Sequence, residues 1–459
     1  MSLYASWPAE TRKLLALAGP LIVNNLSIAG MQAADAMMAG RLGAEALAAV
    51  AVGGSVWFFL FTIVLGIMLA ISPIVSRHWG AGRPELIGRY TRQGVYLAIV
   101  LGIPLVLAVR TWAEPALAAL GIDPGFRQVT VDYVRIIIVG APAIFVFLAF
   151  RFTTEGIGKT RPIMFTSLFA FVANVFFNWV FMFGNLGAPA MGAAGAAVAS
   201  AVTMWLMMLA LVGVFLFDPA YRPLAIFDRL APPRPDVLLE VIRLGLPISV
   251  TITAETGLFS ATSVLMGTRG ADVSAAHQVA LNFASTTFMV PLALASAITV
   301  RVGQQLGRRD PAEARSAGII GITNCALFMA FSATFMLVFR DFVVSLYIDD
   351  PAVARIALSL LLMAAIFQVA DGVQIGAAAA LRGYKDTTWA MFINTFSYWV
   401  LAFPLAYLAA VTYMLDPKYI WGGFVVGLSV AAVLLSLRFL VVSRRAVSDP
   451  VVVGGLPGG

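Results

Sequence analysis

Charged residues are scarce in this chain of 459 residues: 12% are Asp, Glu, Lys or Arg, against roughly 25% in a soluble domain. With 61% hydrophobic residues and a mean hydropathy of +0.92, that scarcity excludes a water-facing globule and makes lipid the main solvent. Cysteine is nearly absent as well. The single thiol, Cys325, rules out an intramolecular disulfide, and without a Cys/His cluster a structural zinc site has nothing to build on. The only two histidines, His78 and His277, stand beside expected loops and read as ordinary interfacial residues rather than proton relays. A membrane enzyme would need a nucleophile, a metal or an acid/base cluster near an interface, and this inventory offers none. No cofactor is expected.

Long apolar runs, by contrast, are abundant. A helix needs about 20 mainly apolar residues to cross the hydrocarbon layer. Such stretches are expected at 14–38, 46–72, 93–111, 131–153, 162–184, 190–217, 241–268, 277–300, 316–340, 355–381, 388–411 and 420–443. The first follows Arg12 and Lys13 but is too long for a signal-peptide core, so an uncleaved first helix is expected. The net charge of +7 is topological rather than a nucleic-acid footprint. The amino terminus, the even-to-odd loops and the carboxyl terminus hold 22 of the 30 Lys and Arg, and the opposite loops hold 8. The positive-inside rule then places both termini in the cytoplasm.

The two halves of the chain repeat. Pro20 and Pro247, Gly40 and Gly267, Gly43 and Gly270, Gly80 and Gly307, Pro84 and Pro311, and Gly94 and Gly321 all differ by 227 positions; Lys159 and Lys385 differ by 226. Several matches at one offset point to duplication. Six helices per half is an even number, so both halves start on the same side and the repeat is parallel, as in several transporter folds. The seam is rich in proline, with Asp218-Pro219, Arg222-Pro223 and Pro232-Pro233-Arg234-Pro235. The expected organisation is an N-lobe over 1–217, a cytoplasmic linker over 218–240, a C-lobe over 241–443 and a cytoplasmic tail over 444–459.

Setting aside charges at helix ends, three carboxylates lie well inside apolar stretches: Asp35, Glu255 and Asp371. The membrane-embedded charges are then all acidic. An ionised Asp at a helix centre costs roughly 2.5 to 3.5 kcal/mol on insertion scales, so each needs a partner, a proton or a cation. Oxygen-bearing side chains surround Glu255 in Thr251-Ile252-Thr253-Ala254-Glu255-Thr256, and Gln368 precedes Asp371. The duplicate positions in the first half are Ile28 and Phe145, so these acids are no shared packing feature; the duplicate of Asp35 is Thr262. Asn174 and Asn178 lie four apart on one helix face, where they could share a cavity with Asp35 or act as interhelical glue. Pro20 and Pro247 each remove a backbone bond within the first helix of their half and permit a kink; Pro73, Pro142, Pro291 and Pro404 add further breaks.

The run Asp35-Ala36-Met37-Met38-Ala39-Gly40-Arg41-Leu42-Gly43, followed by Ala46-Leu47-Ala48-Ala49-Val50, resembles the first helix and loop of the multidrug and toxic compound extrusion (MATE) family. So do Gly80-Ala81-Gly82-Arg83 and its partner Gly307-Arg308-Arg309. Ala276-His277-Gln278-Val279, Asp349-Asp350-Pro351 and Leu381-Arg382-Gly383-Tyr384-Lys385-Asp386 resemble the second half of its bacterial NorM branch. The resemblance covers essentially the whole chain. It implies an all-α membrane protein of twelve transmembrane helices in two six-helix lobes around a central cleft, acting as a monomer in a bacterial inner membrane. The implied activity is export of cationic and lipophilic drugs, small organic cations, in exchange for sodium ions or protons. It also implies a cation site in the second lobe at Glu255 and Asp371, where the matching aromatics are Phe288 and Phe367 rather than tyrosines. Losing those hydroxyls removes oxygen ligands but keeps ring faces that attract cations, which leaves sodium against proton open. Asp35, with Asn174 and Asn178, is implied as a proton- or substrate-responsive site of the first lobe. Ser55, Gln278, Asp349 and Asp350 are implied at the outward mouth of the cleft, although Asp350-Pro351 also reads as a plain helix cap followed by proline. A lipid-linked sugar flippase shares the broader fold by resemblance but usually needs a cationic cavity. A major facilitator transporter would carry a charged motif that is missing from Arg77 to Arg92.

Overall fold

The structure, a computed structural model, describes residues 3–228, 232–348 and 350–449. No strand occurs among the described residues, and twelve helices are long and apolar enough to cross a membrane. They are α1 (Trp7–Leu42), α2 (Ala44–Gly80), α3 (Pro84–Ala119), α4 (Pro124–Gly156), α5 (Arg161–Phe183), α6 (Ala193–Phe217), α7 (Pro235–Gly267), α8 (Ala271–Gly307), α9 (Pro311–Val338), α10 (Pro351–Gly383), α11 (Thr387–Thr412) and α12 (Pro417–Ser448). Every expected stretch coincides with one of them. Most helices run longer than expected because they continue past their apolar core into charged ends. Several starts share one device: Asp123, Asp310, Asp350 and Asp416 each accept a hydrogen bond from a backbone N–H of the first turn, and proline follows as the first helical residue.

The duplication is visible in the packing. A Cβ on Gly94 would collide with Ile71, and one on Gly321 would collide with Ile298, both 227 positions on. Gly156 lies against Val75 and the Ser72 carbonyl, and Gly383 against Val302 and the Thr299 carbonyl, again 227 on. Backbone conformation repeats too. Gly82 and Arg309 share a positive φ of 68° and 62°, and Gly158 and Lys385 one of 83° and 63°. Lys385 is therefore the counterpart of Gly158 rather than of Lys159, and the counterpart of Asp371 is Ile144 rather than Phe145. The offset has not yet changed at that point of the chain. Neither correction restores an acid to the first half.

Proline leaves its mark one turn upstream, at the residue whose carbonyl loses its donor. The first part of α2 ends at Leu69, four residues before Pro73, and α4 tightens into a 3-10 turn over Ile138–Gly140 from four residues before Pro142. A π-helix spans Phe396–Ala402 in α11, and Pro404 follows in the α-helical turn after it. By contrast, helix continues unbroken through Pro20, Pro247 and Pro291.

Two compact units emerge, and they do not divide the chain at its midpoint. The first-half unit holds Pro20–Trp79 and Arg83–Ser249; the second-half unit holds the residues up to Gly19, Gly80–Gly82 and those from Val250. Thus α1 changes unit at Gly19 and Pro20, and α7 changes two residues after Pro247. Within the first-half unit the opening turns of α7 meet α2 almost backbone to backbone: Gly66 faces Ser249, Gly245 faces Ile67, and the Ser249 hydroxyl donates to the Ile63 carbonyl at 2.7 Å. Small residues permit that approach without a hydrophobic drive. The linker is held down as well, since Gln93 donates to the Pro232 carbonyl (3.1 Å) and accepts from the Arg234 N–H (2.8 Å).

Within the second-half unit the opening turns of α1 are fastened by Glu10, whose carboxylate takes two bonds from the Arg301 guanidinium at 2.6 and 2.8 Å. Both side chains are buried, Glu10 at 2% and Arg301 at 7% exposure. This corrects the expectation that embedded charges are all acidic: helix-end charges count as buried once neighbouring helices cover them. Glu155 on α4, fully buried and bonded by the Ser72 hydroxyl at 3.3 Å, was set aside for the same reason.

Candidate cation and substrate sites

In the second-half unit, α7 carries Glu255 and α10 carries Asp371, which is 5% exposed. The two carboxylates lie within electrostatic reach of each other and of the Tyr398 hydroxyl on α11; Arg382, in the last turn of α10, is the basic group whose charge reaches Glu255. One oxygen of Asp371, Oδ1, has no hydrogen-bond partner among the described residues, and neither does the buried Tyr398 hydroxyl. Gln368, Asp371 and Gln374 recur every three residues and so share one face of α10. Gln368 Nε2 donates to Thr287 Oγ1 at 2.7 Å and Gln374 Nε2 to Asn394 Oδ1 at 3.3 Å, while the carbonyl oxygens of both glutamines are left over. Two carboxylates, neutral oxygens and burial that penalises an uncompensated charge are chemically able to hold a proton or a cation.

The two aromatics expected here differ in burial. Phe367, 2% exposed, packs against Trp421 at 5.7 Å and Phe424 at 5.9 Å between ring centroids, so its ring belongs to the apolar core of this unit. Phe288 is half-buried on α8, next to Thr287. Tyr398, Gln374 and Asn394 were missed in the sequence. The three-residue spacing of Gln368, Asp371 and Gln374 in an apolar run was the available signal for the glutamine; nothing local marked Tyr398.

In the first-half unit, Asn178 donates to Asp35 Oδ1 at 2.5 Å and to Asn174 Oδ1 at 3.2 Å, and Ser200 donates to Asp35 Oδ2 at 3.3 Å. Asp35, Asn174 and Asn178 are thus brought together as expected from their types, with Ser200 on α6 as an addition that sequence reasoning did not find. Both asparagines are buried while Asp35 is half-buried, so the carboxylate is the most accessible of the three. The site is built from neutral donors around one acid, unlike the paired acids of the other unit.

A model of the MatE family matches this sequence twice, over residues 20–180 and 247–408. The chain belongs to the MatE family. The multidrug resistance protein NorM of Aliivibrio fischeri is 36% identical over 441 residues, covering 95% of each chain. PmpM of Pseudomonas aeruginosa, also a multidrug resistance protein, is 36% identical over 442 residues, covering 95% of this chain and 92% of that one. Among solved structures, the eukaryotic MATE transporter AtDTX14 superposes with a TM-score of 0.87 at 22% identity, covering 96% of this chain and 99% of that one. A MOP superfamily transporter from Pyrococcus furiosus gives 0.87 at 20% identity, covering 96% and 97%. These likenesses confirm the all-helical fold.

The remaining residues singled out in this MatE chain are dispersed. Ser55 is exposed on α2 and donates to the Ala51 carbonyl at 2.8 Å; Gln278 is exposed on α8. Asp350 caps α10, accepting from the Ala352 N–H at 2.7 Å, and Asp349 lies outside the described residues. The histidines are corrected. His78 is buried, and His277 is fully buried rather than interfacial because α7 and α12 cover it. Trp421 Nε1 donates to His277 Nδ1 at 3.0 Å, which forces the ring proton of the neutral imidazole onto Nε2, 2.9 Å from Ser263 Oγ. His277 therefore ties three helices together as a neutral group.

Proposed function

We propose that this MatE-family membrane protein is a cation-coupled antiporter that exports small organic cations and lipophilic drugs, exchanging them for sodium ions or, as the second possibility, protons. The observation that carries this reading is the pair of acids, half-buried Glu255 and buried Asp371, in an apolar unit with an unmet Asp371 oxygen. The names of the relatives support the drug-export half. Glu255 and Asp371 bind the coupling cation, and Asp35 with Asn174 and Asn178 responds to protons or substrate in the other unit. The Lys and Arg bias supports a multi-pass protein with both termini in the cytoplasm.

Energetics constrain the exchange. Moving one charge across the membrane involves about 2.3 kcal/mol per 100 mV. Importing one monovalent cation for each monovalent drug exported cancels that term, so one-for-one exchange is driven by the concentration gradient alone. The cation must also bind the two conformations unequally, because equal affinity shifts nothing. The test is efflux of a fluorescent organic cation from vesicles with the two gradients imposed separately. An inward sodium gradient at equal pH is expected to drive efflux. Efflux that needs only ATP, with both gradients collapsed, overturns the antiporter reading.

A further inference from the structure

Resting on the assignment of Glu255 and Asp371 to the coupling cation, we propose that the Tyr398 hydroxyl, turned inward by a one-residue π insertion in α11, is the neutral oxygen that completes their site. The insertion is visible as a change of repeat offset. In the first half a Cβ on Gly30 would press on the Phe171 ring at 3.1 Å; in the second half a Cβ on Gly257 would press on the Trp399 ring at 3.0 Å. The glycines differ by 227 and the aromatics by 228, so the same contact is made one residue later. The two MatE matches carry the same shift, starting at 20 and 247 and ending at 180 and 408. The Gly156 and Gly383 contacts still obey 227, which confines the extra residue to the stretch between Gly383 and Trp399, where the π-helix begins. A π turn is the usual way for a helix to absorb one added residue, and such turns gather at functional sites.

Two contacts fix where the turn points. On one side Trp399 Nε1 donates to the Ala254 carbonyl at 3.1 Å, next to Glu255. On the other, Gln374, one turn beyond Asp371, donates to Asn394. The intervening segment is held between the two acid-bearing helices. Tyr398 in this segment is fully buried, and its hydroxyl meets no partner among the described residues. A phenol in such a place loses its water without recompense unless a ligand takes it up. Neither Ala170 nor Phe171, the two candidates for its first-half counterpart, has a hydroxyl, so the oxygen is particular to the half that holds both acids. It supplies what Phe288 and Phe367 cannot.

The full chain in vesicles decides this. Drug efflux is measured against sodium concentration at fixed pH and against pH at fixed sodium, for wild type, Tyr398→Phe, Tyr398→Leu and Asp371→Asn. Tyr398→Phe is expected to raise the half-saturating concentration of the driving cation about tenfold, the scale of one hydrogen bond to a charged group, with the maximal rate kept. Tyr398→Leu, which serves if the first variant inserts poorly, is expected to show the same shift. Sodium-induced thermal stabilisation of the purified protein is expected to move in parallel if sodium is the driver. An unchanged half-saturation beside an Asp371→Asn variant that has lost cation dependence overturns the role of Tyr398 and leaves the coupling site standing. A lowered maximal rate at wild-type half-saturation means packing alone and also overturns it. If Asp371→Asn keeps wild-type cation dependence, or neither cation drives the wild type, the coupling assignment fails and this inference with it.

Discussion

Asp35 and Asp371 are both aspartates within membrane-length helices, yet their oxygens are treated differently. Each oxygen of Asp35 has a neutral donor, whereas Asp371 Oδ1 has none among the described residues. Those donors favour the ionised form of Asp35, and a proton on either oxygen would require Asn178 or Ser200 to turn, whereas the unmet oxygen of Asp371 leaves room for a proton or a cation. Glu255→Gln and Asp371→Asn keep size and some hydrogen bonding but delete the charge. Each is expected to lower cation-driven efflux by roughly tenfold or more, in a protein that still inserts, as read by vesicle transport against membrane-fraction abundance. Asp35→Asn is expected to impair efflux while equilibrium sodium binding to the other unit persists. Wild-type efflux in both second-half variants would place the coupling site elsewhere. The acids themselves were legible from cost alone. Ser200 and Tyr398 were not, because a serine or tyrosine in an apolar helix is ordinary until its neighbours are known.

Helix α11 depends on α12 for its shape. Gly423 and Gly427 stand four apart on α12; a Cβ on Gly427 would lie 2.5 Å from Ala402 Cβ and 2.9 Å from the Ser397 carbonyl, so the π turn rests in a groove only glycine leaves open. The spacing is the small-residue pattern of close helix pairs, and it was readable in the sequence. Gly427→Val forces the turn away from α12 and is expected to cost ~1–3 kcal/mol, the usual range for overpacking, with a raised half-saturating cation concentration. The neighbouring Gly422, with open space around its Cβ, provides the control: Gly422→Ala is expected to leave both melting temperature in detergent and cation dependence unchanged. Helix starts were legible because Asp-Pro pairs terminate and cap locally. The π turn was not, since one extra residue in an apolar run alters no local pattern.

At the scale of the whole molecule, the first turns of α1 and of α7 each belong to the unit built mainly from the other half of the chain. Topology is the property of the whole chain that charge bias addresses directly. In a Cys325→Ala background, where the buried native thiol is removed, a membrane-impermeant maleimide applied to intact cells is expected to label Tyr413→Cys and to spare Ser448→Cys. Both positions are exposed in the structure. The reverse pattern would invert the assignment of sides.

By itself the sequence determined the membrane class, the twelve helices, the duplication and the three central acids. Each follows from composition, from runs and spacings, or from the cost of one charge in lipid, and all of these are local or strictly periodic quantities. Only the tertiary structure decided which unit takes the first turns of α1 and α7, that Glu10 and Arg301 are buried together, that His277 is a neutral tie between helices, and that the offset changes by one residue before Trp399. Those depend on which surfaces cover one another across hundreds of residues of chain, and burial of that kind leaves no trace in the spacing of neighbours.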